Sequence, residues 1–349
     1  QSGRWCRSTA AARLSSVTVT LAELGEAELI RRLACFAPPG QLADDTCTLA
    51  ADTRQLLVNT DVLVDDIHFS DLTTSPADVG WRAVATNLSD LAASGAVAVD
   101  GITVALVAPG STPWNWVEGL YSGISEALNC YGGILLGGDC SSGRQRLISV
   151  TALGRLGPLR LHRAHAYPGD WLVTSGAHGL SRLGLALLQG DPILDGNSAL
   201  TDALQHQAIS HHRRPSPRLD ALNTLLQNKP EHLPWRAAGT DSSDGLLAAV
   251  QALCNSSQCG AQLNPDWLPR AEGWPSGDLW DQWCLNGGED FELVLSLPAV
   301  WAQLWLEHQP ASRRIGCITS ESNQIVWSDT RRPVTAAGFD HFGSALKDV

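Results

Sequence analysis

The spacing of apolar residues divides the first half of the chain into helices and strands. Leu29, Leu33 and Phe36 recur at helical intervals, and Pro76 opens another such run, at a position that proline favours. The pattern predicts helices over residues 21–36, 76–93 and 114–130. Short apolar and β-branched runs bounded by turn residues predict strands at 48–50, 55–59, 102–108, 134–136 and 147–156.

The second half of the chain repeats this mixture after an irregular segment. Residues 158–169 are rich in arginine, histidine, proline and glycine and have weak periodicity, so we expect a domain boundary at 158. Beyond it, the pattern predicts helices at 180–188, 200–211, 244–256 and 300–308. Strands are predicted at 171–174, 291–297 and 314–319. Both halves therefore indicate an α/β or α+β fold, with domains 21–157 and 158–349.

Composition and charge narrow the classes of function. Of 349 residues, 44% are hydrophobic, which suffices for large cores, and no apolar stretch reaches the length of a membrane span. A net charge of -12 argues against a nucleic-acid binder with a basic surface. The nine cysteines show no C-x-x-C spacing, so we expect a reducing cytoplasm rather than a zinc site or disulfides. We expect residues 1–20 to be a disordered extension, although their arginines without acids are also typical of a transit segment.

Lysine is nearly absent from the chain. Lys229 and Lys347 are the two that occur, and neither stands in a P-loop or in the strand setting of the protein-kinase lysine. If the protein handles ATP, it must neutralise the phosphate charge by another means.

Aspartates recur beside small residues where predicted elements begin or end. Five stretches share this arrangement: Ala43-Asp44-Asp45, Asn59-Thr60-Asp61, Asn87-Leu88-Ser89-Asp90, Gly137-Gly138-Asp139 and Asp241-Ser242-Ser243-Asp244-Gly245. Carboxylate and hydroxyl oxygens suit Mg²⁺, and small neighbours let a metal-bound phosphate approach the backbone. Each stretch alone is also typical of a helix cap or turn. Their co-occurrence therefore carries the hypothesis of a site for metal-bound phosphate.

The order of these stretches resembles that of a known enzyme family. From residue 43 to 292 the chain reads A-D-D, N-T-D-x-L-V-x-x-x-H-F, N-L-S-D-L-A-A-x-G-A, G-G-D, H-x-R-P-x-P-R, D-x-S-D-G-L and G-G-E-D-F-E. This order closely resembles the thiamine-monophosphate kinases, which belong to the aminoimidazole-ribonucleotide-synthetase-like superfamily. The resemblance covers roughly residues 21–342.

The resemblance implies a two-domain α/β (α+β) fold and a reaction. The N-terminal domain would bind metal and ATP and pair its sheet with that of a second subunit, forming a barrel across a homodimer. The C-terminal domain would be an α/β layer. ATP and thiamine monophosphate would give ADP and thiamine diphosphate by direct in-line transfer. Several Mg²⁺ ions would assist the transfer, and neither a covalent nucleophile nor a general base would be needed.

The resemblance also implies a set of site residues. The metal ligands would be Asp45, Asn59, Thr60, Asp61, Asp90, Asp139, Asp241 and Asp244. ATP would contact Gly138, Asp139, Arg163 and Ser243. Thiamine monophosphate would contact His68, Glu289 and Phe339, and a carboxylate and an aromatic ring both suit its cationic thiazolium.

Several alternatives stay open. Either Glu289 or Asp290 could make the substrate contact. Asp44 could cap the loop while its neighbour Asp45 binds the metal. Asp65 and Asp66 are expected in a solvated turn. Two sister enzymes of the superfamily, aminoimidazole ribonucleotide synthetase and selenophosphate synthetase, also use ATP and Mg²⁺. A catalytically silent nucleotide-binding dimer is the alternative outside the enzymes.

Overall fold

The structure, a computed structural model, describes residues 18–196 and 199–335. The helices are α1 Leu21–Leu24, α2 Glu26–Leu33, α3 Pro76–Ser94, α4 Trp114–Tyr131, α5 Leu180–Gln189, α6 Asp202–Arg213, α7 Leu219–Gln227, α8 Leu246–Ser257, α9 Asp278–Asn286 and α10 Ala299–His308. The strands are β1 Leu56–Val64, β2 Ala96–Ala108, β3 Ile134–Ser142, β4 Leu147–Leu156, β5 Trp171–Thr174, β6 Ala238–Asp241, β7 Gly260–Leu263, β8 Leu293–Leu297, β9 Arg313–Thr319 and β10 Ile325–Trp327. In the described parts of the chain, no helix combines the length and apolarity needed to cross a membrane.

The first half of the chain forms a four-stranded sheet covered on one face by two helices. Its strand order is β1-β4-β2-β3, with β2 and β3 parallel and the other neighbours antiparallel. Helices α3 and α4 approach each other closely at two glycines. A Cβ at Gly80 would lie 1.9 Å from the Leu120 carbonyl oxygen, and one at Gly123 would lie 1.8 Å from that of Ala77. These contacts require glycine, and they hold α3 firmly against its neighbour.

The other face of this sheet carries uncovered apolar side chains. Along β1, burial alternates, so that Leu57 and Leu63 pack into the core while their neighbours point the other way. On that outer face Leu56, Val58 and Val62 are 43%, 58% and 40% exposed. Exposed apolar side chains grouped on one face of a sheet are typical of an association site.

The second half of the chain forms a six-stranded mixed sheet of order β10-β7-β9-β5-β8-β6. Its helices pack into separate apolar cores. The end of α3 also reaches this half, since Ala92 and Ala93 pack in one cluster with Leu159, Leu161 and Trp301. Helix α3 therefore contacts both halves of the molecule.

The mixed α/β fold predicted from the sequence is confirmed, and most of the predicted elements are present. The sequence pattern did not predict α9, β6, β7 or β10, and β1 and β2 are longer than expected. Residues 48–50 do not form the predicted strand, and the first predicted helix is interrupted at Gly25. Strand β3 does not stop at Gly137 but continues to Ser142, because pairing with β2 supplies its hydrogen bonds. The domain boundary at residue 158 remains a prediction.

Candidate active site

Helix α3 carries a polar stripe through an otherwise apolar and buried helix. Arg82, Thr86, Ser89 and Asp90 follow one another at intervals that place them on the same side of the helix. Arg82, Thr86 and Ser89 are 1%, 8% and 0% exposed. Because α3 contacts both halves of the molecule, this stripe faces the junction between them.

One end of the stripe meets two aspartates from other elements. Asp61 comes from β1, and Asp241 stands at the end of β6. Asp241 is buried and accepts hydrogen bonds from the hydroxyls of Ser89, at 2.8 Å, and Ser243, at 3.1 Å. The structure thus brings together three of the predicted metal ligands, Asp61, Asp90 and Asp241. We call these three residues the carboxylate cluster.

The carboxylates of the cluster disfavour one another's charge. Burial, followed by the charges of Asp241 and Asp61, raises the pKa of Asp90 to about 7. Burial and the charge of Asp241 raise the pKa of Asp61, and burial raises the pKa of Asp241 itself. One buried and two half-buried carboxylates that repel one another, with Arg163 as a cationic neighbour, form a site that a cation would stabilise.

Asn59 and Arg163 lie at the edge of the carboxylate cluster. The Asn59 amide donates to Asn87 Oδ1 and Asp90 Oδ2, both at 3.1 Å, while its own Oδ1 is buried without a hydrogen-bond partner among the described residues. Arg163 Nε donates to Thr240 Oγ1 at 3.1 Å, and its charge acts on both Asp90 and Asp241. A cavity of about 320 Å³ lies between them.

A second group of predicted residues lines a larger cavity of about 690 Å³. Its lining includes Asp45, Gly138 and Asp139, which we call the cavity group, together with Tyr121 from α4. A Cβ at Gly138 would lie 1.9 Å from the Val104 carbonyl oxygen, so the sequence requires glycine there for strand packing. Asp44 Oδ1 accepts from the Asp45 amide at 2.9 Å, as expected of a loop cap.

The two groups stand at opposite edges of the first sheet. Asp139 in β3 is in register with Ala105 in β2, then with Ser149 in β4, and then with Val62 in β1, next to Asp61. Three strand spacings amount to about 14 Å. Side chains this far apart cannot ligate one metal ion, so Asp139 and Asp61 of the same chain do not share one.

Thr60 lies on the other face of β1 from Asn59 and Asp61. Its hydroxyl exchanges a hydrogen bond of 2.8 Å with Thr151. A metal at the carboxylate cluster would therefore reach this residue through backbone oxygen rather than through the hydroxyl. Asp244 follows Ser243 and is exposed.

The predicted substrate residues His68 and Glu289 meet at the other end of the α3 stripe. Arg82 Nη2 donates to Glu289 Oε1 at 2.6 Å and to the His68 carbonyl oxygen at 3.4 Å. His68 Nδ1 accepts from the Val64 amide at 3.0 Å, so a neutral ring carries its proton on Nε2. Phe339 lies outside the described residues.

Asp290 and Glu289 occupy very different environments. Asp290 is 1% exposed and accepts from the amides of Gly179, at 2.7 Å, and Ser181, at 2.9 Å. Burial opposes its charge, but hydrogen bonds, led by that from His211, hold its pKa below the usual value. The Glu289 side chain is 34% exposed. The geometry favours Glu289 for the substrate contact, which remains a prediction.

The expectation of a solvated turn is wrong for Asp65. Asp65 is 9% exposed, and Arg146 Nε pairs with its Oδ2 at 2.7 Å. Arg146 also pairs with Asp71 and stacks over Trp116 at 4.6 Å. This arginine lies 81 residues away in sequence, so local composition could not reveal the pairing.

Sequence reasoning missed Arg82, and it placed Asn87 and Ser89 in a candidate motif without giving either a role. Their signal was available as polar residues within an apolar helical pattern, although such residues are also common on solvated helix faces. Among the described residues, no group of three aspartate, glutamate, histidine or cysteine side chains is already drawn together tightly enough to hold a metal ion. The carboxylate cluster would therefore need Asn59, backbone, water or phosphate oxygens to complete a coordination shell, as Mg²⁺ usually does.

Comparison with known proteins identifies the family. Residues 43–156 match the family described as AIR synthase related protein, N-terminal domain. The thiamine-monophosphate kinase of Prochlorococcus marinus is 52% identical over 324 residues, covering 92% of this chain and 97% of its own. The enzyme of the same name from Synechococcus elongatus is 43% identical, covering 90% and 91%.

A solved structure described as AaThiL complexed with AMPPCP and TMP shares the fold. Its TM-score is 0.71 at 27% identity, with 94% of this chain and 100% of that chain covered. With relatives this similar along nearly their whole length, the chain belongs to the thiamine-monophosphate kinase family and is a kinase.

Proposed function

We propose that this protein transfers the terminal phosphoryl group of ATP directly to thiamine monophosphate, with Mg²⁺ at the carboxylate cluster. The names of its relatives and the AMPPCP and TMP of the solved relative support the two substrates. The carboxylate cluster supports the metal and is the observation that carries the mechanism. Asp61, Asp90 and Asp241 are hard oxygen ligands, and the unpaired Asn59 Oδ1 adds a fourth.

The acceptor explains why the site offers carboxylates rather than a base. The second pKa of a phosphate monoester is near 6, so at neutral pH the acceptor is already largely deprotonated. The obstacle is repulsion between two highly charged phosphates. Bound Mg²⁺ would neutralise this charge and favour in-line alignment. The residues of the chain hold the reactants in position.

We assign the nucleotide to the residues that the resemblance implied. The 690 Å³ cavity beside Gly138 and Asp139 has the size of a nucleoside pocket. Arg163 and Ser243 stand beside the carboxylate cluster, where they would contact phosphate oxygens. A guanidinium can donate two hydrogen bonds to one phosphate.

We assign the thiamine end to His68 and Glu289, and propose that Phe339 contributes a ring there. Arg82 lies eight residues before Asp90, about 12 Å along the helix axis. The α3 stripe therefore separates a carboxylate that suits a cationic ring from the cluster that suits a phosphate. Thiamine monophosphate carries both of these groups, since an ethyl linker joins its cationic thiazolium ring to the phosphate.

We further propose that the protein works as a homodimer in which the active site is shared. The cavity group and the carboxylate cluster are about 14 Å apart in one chain, at opposite edges of the sheet. Among the described strands, β1 and β3 form the two edges of this sheet, and the outer sheet face carries the exposed Leu56 and Val58. A second copy whose β3 edge lay beside the β1 edge of the first would bring its own Asp139 toward the carboxylate cluster of the first.

The function is tested by incubating the protein with ATP, Mg²⁺ and thiamine monophosphate and separating the products by chromatography. We expect equal amounts of ADP and thiamine diphosphate, and none of either when a chelator removes the metal. Aminoimidazole ribonucleotide precursors and selenide, offered separately, serve as controls for the sister activities. ATP consumption with a control substrate but not with thiamine monophosphate would contradict the proposal, and activity that survives chelation would contradict the metal assignment.

Metal binding has a readout that does not depend on activity. Mg²⁺ at about 100 times its dissociation constant is expected to stabilise the protein by about 2.7 kcal/mol, or roughly 5 °C in Tm, because it binds the folded cluster. Thermal unfolding with Mg²⁺ and with chelator measures the shift. Asp90→Asn is expected to lose most of it. Asp170→Asn removes a buried carboxylate that pairs with Arg236 outside the cluster, and this variant is expected to keep the Tm shift. Equal shifts in all three proteins would remove Asp90 from the metal site.

A further inference from the structure

Arg82 is a fully buried cation that links the two halves of the molecule. Its Nη1 donates to the carbonyl oxygen of His212 in α6 at 2.6 Å, and its Nη2 donates to Glu289 Oε1 at 2.6 Å. The Arg82 side chain is 1% exposed. Its Nε is buried with no hydrogen-bond partner among the described residues. A buried guanidinium with one donor unused is costly, so its retention calls for an explanation.

The partner of Arg82 is held in an unusual backbone conformation. Glu289 has a φ of +56°, in the left-handed region that residues other than glycine rarely adopt. Its amide donates to the Ser243 carbonyl oxygen at 2.7 Å, and the next residue, Asp290, accepts a hydrogen bond from the Gly179 amide in the second half of the chain. The backbone at Glu289 is therefore fixed from one side, and its carboxylate is fixed by Arg82 from the other. Backbone strain of this kind is concentrated at functional sites.

The pairing leaves one Glu289 oxygen available. Oε1 is taken by Arg82, whereas Oε2 lies 3.9 Å from His212 Nδ1, beyond hydrogen-bond distance. Burial, followed by the nearby charge of Arg82, lowers the pKa of His212 to about 3, so this ring is neutral near neutral pH. With its side chain 34% exposed, Glu289 can present Oε2 to a ligand.

Arg82 also contacts the segment that carries the other predicted substrate residue. Its Nη2 lies 3.4 Å from the His68 carbonyl oxygen. We infer that Arg82 is a positioning residue, which orients the Glu289 carboxylate and the His68 segment toward the cationic thiazolium ring of thiamine monophosphate. This inference rests on the proposed function. The guanidinium itself is too deeply buried to touch substrate.

A second arginine provides a matched control, which separates a positioning role of Arg82 from a role in joining the two halves of the molecule. Arg214 also crosses between the halves, where it pairs with Asp78 of α3 at 2.5 Å and Glu126 of α4 at 2.6 Å. In the part of the chain that the structure describes, it contacts none of the predicted site residues. Loss of Arg214 therefore weakens the junction without disturbing Glu289.

The experiment compares the KM for thiamine monophosphate with the KM for ATP in Arg82→Met and Arg214→Met. Arg82→Met is expected to raise the KM for thiamine monophosphate about tenfold, because precise orientation of a binding group is worth factors of this size. Its KM for ATP should stay within about twofold, since Arg82 is some 12 Å from Asp90 along α3. Arg214→Met is expected to lower Tm and leave both constants within about twofold.

Two further variants keep the inference open to refutation if Arg82→Met folds poorly. Arg82→Lys retains a charge that reaches Glu289, and its KM for thiamine monophosphate should fall between those of the wild type and Arg82→Met. In a Glu289→Gln background, Arg82→Met should cost far less than it does alone, because it acts through that carboxylate. If Arg82→Met raises the KM for ATP as much as the KM for thiamine monophosphate, Arg82 has a structural role. The same conclusion holds if the effects of Arg82→Met and Glu289→Gln on the KM for thiamine monophosphate add in the double variant. If the wild type itself fails to phosphorylate thiamine monophosphate, the proposed function fails first.

Discussion

Asp241→Asn is expected to lower turnover at least about a hundredfold, a barrier increase of about 2.7 kcal/mol. Asp241 is the member of the carboxylate cluster whose charge acts on both Asp61 and Asp90. It is also buried, and Ser89 and Ser243 hold both of its oxygens in place. Asparagine has nearly the same shape and can keep one of these hydrogen bonds as an acceptor. The substitution therefore removes negative charge where the site would hold metal, with little change in packing.

The same variant should be at least as stable as the wild type when metal is removed. Burial raises the pKa of Asp241, so the folded protein disfavours its charged form. A neutral side chain removes this cost as well as the repulsion of Asp61 and Asp90. Single-turnover kinetics with thiamine monophosphate and thermal unfolding in chelator measure the two effects on the same preparation.

Asp170 supplies the comparison for this variant. It is also buried, but Arg236 pairs with both of its oxygens at 2.6 and 2.9 Å, and Ser296 donates to one of them. Asp170→Asn should therefore lower stability by about 1–3 kcal/mol, because it leaves the Arg236 charge without a paired carboxylate, and should leave most of the turnover. If Asp241→Asn also lowers the stability and keeps most of the turnover, Asp241 has a structural role.

Local patterns were sufficient for most of the fold. The apolar period of residues 76–93 and the proline at its start predict α3 nearly to the residue, since its caps and core positions are all local. Strand β3 was cut short in the prediction because Gly137 and Gly138 are poor strand formers by themselves. Its continuation depends on pairing with Thr103 and Val104 of β2, which no local pattern encodes.

The candidate site was less accessible from the sequence. The motifs identified Asp61, Asp90 and Asp241, but their order does not say which edge of the sheet each one occupies. Arg82 is separated from its partner Glu289 by 207 residues, so the pairing arises only from the docking of the two halves. Sequence patterns can therefore indicate the chemistry of a site more readily than the contacts that support it.

The separation of Asp139 from the carboxylate cluster leads to the second large effect. If two copies share each site, a chain carrying Asp139→Asn still has an intact cluster, and a chain carrying Asp241→Asn still has an intact cavity group. Each variant alone is expected to lose at least about tenfold in turnover. Refolded together in equal amounts, they should regain about a quarter of the wild-type activity, because half of the dimers are mixed and each mixed dimer has one complete site.

A second mixture decides whether the recovery means a shared site. Asp90→Asn and Asp241→Asn both damage the carboxylate cluster of their own chain, so a mixed dimer of these two has no complete site and should remain inactive. Light scattering verifies that both mixtures contain dimers, and turnover shows whether activity returns only in the mixture that can form a complete site. Recovery in both mixtures would point to a general effect of refolding. Failure of Asp139→Asn to be rescued in verified dimers would show that each chain must complete its reaction alone, across the 14 Å that its sheet imposes.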